Sequence, residues 1–258
     1  MGSRTAQIQA FERLLDIMDE LREKCPWDRI QTFETLRHLT IEETYELGDA
    51  ILENDFEEIK KELGDLLLHI VFYSKIGSEK RAFDIGDVAN QISNKLIQRH
   101  PHIYGETNVE DADQVVKNWE EIKLSEGKES ILGGVPKSLP ALVKAQRIQD
   151  KVSGVGFDWN QKEVVLEKIK EELDELSIEI DSGNFNKMEA ELGDVIFSLV
   201  NFSRFLSINP ENALERTNKK FIKRFNYIEE KVKKSKRKVN ELSIEEMEVL
   251  WLEAKKTE

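Results

Sequence analysis

The chain repeats itself, and that limits its possible folds more than any single motif. Glu42-Glu43-Thr44-Tyr45-Glu46 returns as Glu171-Glu172-Leu173-Asp174-Glu175, and Glu62-Leu63-Gly64-Asp65 returns as Glu191-Leu192-Gly193-Asp194, both 129 residues later. Lys95 and Arg99 match Lys220 and Arg224 at an offset of 125, and Trp119 and Lys123 match Trp251 and Lys255 at 132. The tryptophans divide evenly, with Trp27 and Trp119 in one half and Trp159 and Trp251 in the other. Duplication of one small unit explains this pattern better than chance.

The repeated unit reads as helical. Val165, Ile169, Leu173, Leu176 and Ile180 step by 4, 4, 3 and 4 residues, and Phe56, Ile59, Leu63, Leu66/Leu67 and Ile70 behave alike. Prolines stand only at 26, 101, 136, 140 and 210, leaving long stretches rich in Glu, Lys, Leu and Ile. Sustained two-residue alternation is absent, which argues against a sheet. The spacing predicts an all-α fold with helices near 5–24, 32–53, 55–77, 84–100, 109–125, 141–152, 160–182, 184–208, 211–236 and 243–256. The Gly/Pro-rich stretch up to Pro140 reads as a linker at 126–140, between an amino-terminal repeat (1–125) and a carboxy-terminal repeat (141–258).

Composition narrows the function classes. The 258 residues carry 51 acidic and 38 basic side chains, a net charge of −13, which disfavours general nucleic-acid binding because that affinity comes largely from phosphate neutralisation. The local exception is Lys231 to Lys238, where six of eight residues are basic; a plain solvated helix end, where cations suit the C-terminus, accounts for it better than nucleic-acid contact. The lone cysteine, Cys25, forms no disulfide within the chain and reads as a packed turn residue beside Pro26 and Trp27. No apolar run reaches the roughly 18 residues of a membrane span, and the first residues lack the apolar core of a secretory signal, so a soluble cytoplasmic protein is expected.

The chemistry sits in the repeated acids. Glu172 and Glu175 share one helical face, and Glu191 and Asp194 share a face on the next helix. The short turn Asp181-Ser182-Gly183-Asn184 makes those helices antiparallel neighbours, so four carboxylates can converge. Glu43, Glu46, Glu62 and Asp65 repeat the set as candidate metal ligands in the first half. Carboxylates crowded at a helix seam repel and lose hydration, so they call for a cation, and an all-oxygen set suits Mg²⁺ or Mn²⁺. Gly64 and Gly193 lie inside helices, where glycine costs about 1 kcal/mol relative to alanine; a close approach at the seam would compensate, with or without metal.

Cations follow the same geometry. Lys168 stands at i−4 from Glu172 and Lys187 at i−4 from Glu191; Lys220/Arg224 and Trp251/Lys255 are further i, i+4 pairs. Acids that hold metal, flanked by cations and an aromatic ring, suit a substrate with several phosphates and a flat base. Intrahelical salt bridging, worth a few tenths of a kcal/mol per pair, is the plain alternative for each lysine.

The duplicated E-E-x-x-E and E-x-x-D arrangement resembles the MazG family of nucleoside triphosphate pyrophosphohydrolases, within the all-α NTP pyrophosphatase group. The likeness extends to Cys25-Pro26-Trp27-Asp28, Arg99-His100-Pro101-His102 and Pro136-Lys137-Ser138-Leu139-Pro140-Ala141-Leu142. It implies Mg²⁺-dependent hydrolysis of NTPs or dNTPs to monophosphate and pyrophosphate by a helical homodimer. It also implies metal ligation by Glu172, Glu175, Glu191 and Asp194, and nucleotide contacts from Lys168, Lys187, Lys220, Arg224, Trp251 and Lys255. The expected reaction is attack of a metal-activated water at the α-phosphorus, with Glu171, Glu172 or Glu175 open as the general base.

The halves are unequal. At an offset of 129, Leu39 stands where the second half has Lys168, and Glu58 where it has Lys187. The second set (Lys168, Lys187, Lys220, Arg224 and Lys255 against four acids) sums to +1. The first (Lys95, Arg99 and Lys123 against Glu43, Glu46, Glu58, Glu62 and Asp65) sums to −2, with Lys60 or Lys61 as possible compensation. A triphosphate carries about four negative charges, so the carboxy-terminal half is expected to catalyse and the amino-terminal half to be auxiliary. Histidine plays little part in this scheme, because His100 and His102 have no counterpart in the second half. The chain has no G-x-x-x-x-G-K-[ST] loop, and Asp65/His69 lacks the Glu-x-x-His spacing of a di-iron bundle. The rival reading is a non-catalytic helical scaffold or regulatory dimer.

Overall fold

A computed structural model describes residues 2–109, 111, 114–115, 118–119, 122 and 130–257. The helix expected at 109–125, the Lys123 position and residues 126–129 of the expected linker fall wholly or largely outside these residues. Among the described residues the secondary structure is helical throughout, with no strand. The chain divides into two compact units, Met1–Glu110 and Asp111–Glu258.

The first unit begins with α1 (Arg4–Lys24) and the single-turn α2 (Pro26–Arg29). The long pair α3 (Phe33–Glu53) and α4 (Phe56–Glu79) follows, then α5 (Ile85–Arg99) and the short α6 (Pro101–Tyr104). Helix starts are set by side-chain caps. Thr32 and Thr35 form a reciprocal capping box on α3, and Asp84 and Asp87 do so on α5. The short helices α2 and α6 each open on a proline, which periodicity over one turn cannot reveal. The core is Met18 from α1, Leu36 from α3 and Val71, Phe72 and Ile76 from α4, with Leu14, Phe33, Leu39 and Tyr73 packed around it. Arg22 closes the open end of the unit through Glu79 (2.5 Å) and the Asp28 carbonyl.

The second unit contains α7 (Ala141–Ser153), the long pair α8 (Lys162–Ser182) and α9 (Phe185–Phe205), α10 (Pro210–Lys234), a 3₁₀ turn (Val239–Glu241) and α11 (Ile244–Lys256). From Ser130 to Pro140 the chain runs through turns, with Gly133, Val135 and Leu139 each bonding back three residues. Val165, Ile169, Val195, Val200, Ile228, Val232 and Ala254 are buried. Arg204 of α9 grips Asp158 with both terminal nitrogens (2.8 and 2.5 Å) and Asn201 at 2.9 Å, while Ser153 also bonds Asp158 at 2.6 Å.

The two long pairs are the repeat made visible. Each turns on one residue with left-handed backbone, Asn54 (φ 57) in the first unit and Gly183 (φ 70) in the second, 129 positions apart. The next residue caps the second helix: Asp55 accepts from the Glu57 and Glu58 N–H groups, and Asn184 from that of Lys187. Each pair also leaves matching apolar residues exposed, Leu63, Leu67 and Ile70 in one and Leu192, Ile196 and Leu199 in the other. Gly64 and Gly193 do not meet the expected close approach, since a Cβ at either would find nothing within 4 Å. No described helix is long and apolar enough to cross a membrane.

Candidate divalent-cation and phosphate site

In the second unit, α8 carries Glu172 and Glu175 and α9 carries Glu191, and each brings a carboxylate oxygen within 4.8 Å of the others. Glu172 is buried, Glu191 half-buried and Glu175 exposed. Asp194, one turn beyond Glu191, is exposed and lies outside this close trio. The crowding has an electrostatic signature: Glu175 is raised above its ordinary value by desolvation and by the charges of Glu172 and Glu191, with Lys168 opposing. Lys168 bonds Glu172 at 2.8 Å and Glu171 at 2.9 Å, and these contacts hold its ammonium well above the usual lysine range.

The other expected contacts are distributed differently. Lys187 reaches across the hairpin to Glu179 (3.0 Å) instead of along its own helix to Glu191. Its signal was the spacing of 172, 175 and 179, which extends the acid stripe by one turn. Lys220 and Lys255 are exposed and make no ion pair among the described residues. The Arg224 guanidinium lies 5.3 Å from the Trp251 ring centroid. Phe221, which sequence reasoning passed over although it adjoins Lys220 and leads Phe225 by four, packs on Trp251 at 5.0 Å. Phe221, Phe225, Met247 and Trp251 line an apolar hollow of about 210 Å³.

The first unit builds the same trio from different parts. Glu43, Glu46 and Glu62 bring oxygens within 4.8 Å of one another, with Glu62 as the buried member. Its cation comes from the second helix: Lys61 bonds Glu62 at 2.9 Å and Glu58 at 2.5 Å, whereas Lys60 turns to Glu57. The Lys61 bond holds Glu62 below its ordinary value, while burial and the charges of Asp65 and Glu46 push Glu43 up. Leu39, at the Lys168 position, packs on the core. Lys95 is exposed, and Lys123 lies outside the described residues. Among the described residues His100 and His102 join no acidic cluster; the Nδ1 atom of His100 lies 2.6 Å from the Leu96 carbonyl oxygen.

Three carboxylates at this separation fit a hard divalent cation, which prefers oxygen donors. Glu62 Oε2, buried without a hydrogen-bond partner, shows the same need from the protein's side. Fold and site together define an all-α protein with a repeated helical hairpin, each copy bringing together three carboxylates of the kind a divalent cation prefers. The sequence matches the MazG nucleotide pyrophosphohydrolase domain twice, over residues 31–104 and 160–228. It is 41% identical over 257 residues to the nucleoside triphosphate pyrophosphohydrolase of Escherichia coli K12, covering 96% of this chain and 98% of that protein. It is 45% identical over 250 residues to the nucleoside triphosphate pyrophosphohydrolase/pyrophosphatase MazG of Thermotoga maritima, covering 95% of each. The uncharacterized protein YabN of Bacillus subtilis is 44% identical over 254 residues, which are 96% of this chain and 52% of YabN. This chain belongs to the MazG family.

Proposed function

We propose that the protein hydrolyses nucleoside triphosphates, ribo- or deoxyribo-, to the monophosphate and pyrophosphate, using Mg²⁺ or Mn²⁺ at the carboxy-terminal trio. The close convergence of Glu172, Glu175 and Glu191 beside Lys168 carries this reading. When bound, the cation supplies Lewis acidity at the α-phosphate and a water of lowered pKa. Glu172, Glu175 and Glu191 would hold it from two helices, and Asp194, a turn away, would complete the set. Glu171, which shares the Lys168 ammonium, stands beside the trio as a candidate proton acceptor along with Glu172 and Glu175. Lys168, Lys187, Lys220, Arg224 and Lys255 offset the charge of the triphosphate and of departing pyrophosphate. Trp251, braced by Phe221 and Arg224, offers its ring to the base.

In this reading residues 141–258 form the catalytic repeat, 126–140 the linker and 1–125 the auxiliary repeat. The matched exposed stripes, Leu63/Leu67/Ile70 and Leu192/Ile196/Leu199, support completion of the helical bundle in a homodimer. The absence of a membrane-spanning helix among the described residues and the net charge of −13 favour a cytoplasmic protein acting on free nucleotides rather than nucleic acid. A pure scaffold would leave two carboxylate trios, each with one buried member, without a role.

Incubation with a nucleotide panel and Mg²⁺ tests the reaction. Pyrophosphate and monophosphate in equal amounts are expected; direct release of orthophosphate without pyrophosphate refutes attack at the α-phosphorus. Thermal melts test the site, since Mg²⁺ with nucleotide must raise the melting temperature if both bind only the folded chain.

A further inference from the structure

The two lysines nearest the carboxy-terminal trio are held in opposite ways. Lys168 bonds Glu172, a member of the trio, at 2.8 Å. Lys187, one turn before Glu191 on α9, crosses the hairpin to Glu179 at 3.0 Å instead. The partners in that second pair are unequal. The Glu179 side chain is 17% exposed and the Lys187 side chain 62%, so the acid is the fixed member and the lysine the movable one. Ser182 donates to Glu179 Oε2 at 2.9 Å, and its hydroxyl oxygen accepts the Asn184 N–H at 3.3 Å. The turn that joins the helices therefore builds the acceptor. Lys187 and Ser182 together hold the Glu179 carboxyl below its ordinary range, so it stays charged at neutral pH. In the other repeat, 129 residues earlier, buried Ala50 stands for Glu179 and Glu58 for Lys187. The first hairpin thus keeps the left-handed turn and the carboxylate trio with neither member of this pair.

We propose that Glu179 is a positioning residue that holds Lys187 aside while the site is empty, and that the lysine exchanges between Glu179 and the phosphate oxygens of the ligand. The inference rests on the hydrolytic reading above for the identity of that ligand. Exchanging one oxyanion partner for another leaves the ammonium paired at both ends of the cycle. An incoming triphosphate takes Lys187 from Glu179. As pyrophosphate loosens, Glu179 recaptures the lysine, and the product loses one of its contacts. Glu179 therefore weakens the hold on polyphosphate and favours product release. An exposed pair of this kind is worth up to about fivefold in an equilibrium constant, enough to bias release without preventing binding. Lys168 has no such alternative outside the acid cluster, since its two bonded acids, Glu171 and Glu172, belong to the site itself.

The test is a double-mutant cycle in the full chain with Glu179→Gln, Lys187→Met and both together. Two equilibrium probes are titrated with Mg²⁺ present: inorganic pyrophosphate, and a nucleoside triphosphate whose α,β-bridging oxygen is replaced by methylene. Glu179→Gln is expected to tighten both by about two- to fivefold, because Lys187 no longer has to leave a partner. KM is expected to fall with them, while kcat does not rise. Lys187→Met is expected to weaken both probes, and adding Glu179→Gln to it to restore less than half of the tightening seen alone. A carboxylate that merely braced the hairpin would lower the melting temperature when replaced and would not tighten pyrophosphate. The proposal is overturned if Glu179→Gln leaves both affinities unchanged or weakens them. It is equally overturned if the tightening is undiminished without Lys187, since that marks a bare field effect of the carboxylate. Failure of the hydrolytic reading shows separately, as a wild-type chain that binds the methylene analogue yet releases no pyrophosphate from the natural nucleotide.

Discussion

The two helical hairpins share a turn, a capping scheme and a carboxylate trio, yet they neutralise that trio from opposite sides. In the carboxy-terminal hairpin the buried acid is Glu172 on the first helix, held by Lys168 one turn before it. In the amino-terminal hairpin the buried acid is Glu62 on the second helix, held by the adjacent Lys61. The exchange follows from one position. Once Leu39 is given to the core, no cation can stand one turn before Glu43, and compensation must come from α4. A duplicated hairpin can thus keep its carboxylate geometry while changing the position of the cation beside it. Ligand geometry and substrate charge are separable properties of the same hairpin.

The comparison can be broken most sharply at the trios. Glu172→Ala is expected to lower kcat by about 10³-fold or more, since on the proposed reading it would remove a ligand of the catalytic cation. Glu43→Ala should cost less than about tenfold, and the opposite ranking in pyrophosphate-release assays would reassign the catalytic half. Exchanging the position that separates the halves comes next. Lys168→Leu copies Leu39 and should reduce kcat/KM by about 10- to 100-fold, the worth of a lost charge-assisted hydrogen bond. An unchanged kcat/KM would remove Lys168 from the phosphate set.

A third effect concerns stability. Burial would raise Asp158, but the Arg204 guanidinium and the Ser153 hydroxyl hold it below the ordinary carboxylate range. Asp158→Asn is therefore expected to lose about 2 kcal/mol in denaturant melts. Glu79→Gln, which loosens the Arg22 pair of the other unit, whose acid is more exposed than Asp158, should lose less than about 1 kcal/mol. Equal losses would mean that the two units are braced alike. The smallest effect is a pH dependence confined to the second unit. Arg237 draws Glu246 from 4.5 down to about 2. Since the folded value is the lower one, this pair contributes stability above pH 4.5 and loses it as pH falls towards 2. The difference in melting temperature between wild type and Arg237→Gln should therefore shrink on acidification; a constant difference would show that the pair is inert.

Much of this was legible because helical periodicity is local. The long helices end within a few residues of the positions that their apolar spacing, Gly183 and Asn184 indicate. The identical offset of 129 likewise points to both trios. Other features were illegible for stated reasons. Lys187 lies at helical spacing from Glu191, yet a long flexible side chain takes whichever acid is nearest in space, and across the hairpin that is Glu179. Gly64 and Gly193 suggested crowding, but the faces they occupy are open. The single-turn helix at Pro26–Arg29 is held by Arg22 and Gln31, contacts that no periodicity encodes.

The amino-acid order alone determined the helices, the duplication and which acids share a face, because each follows from 3.6 residues per turn and a repeat spacing. Tertiary structure decided which glutamate of each trio lost its water and which lysine reached it. Those outcomes depend on the packing of two helices side by side, where a core leucine in one hairpin occupies the place of a cation in the other.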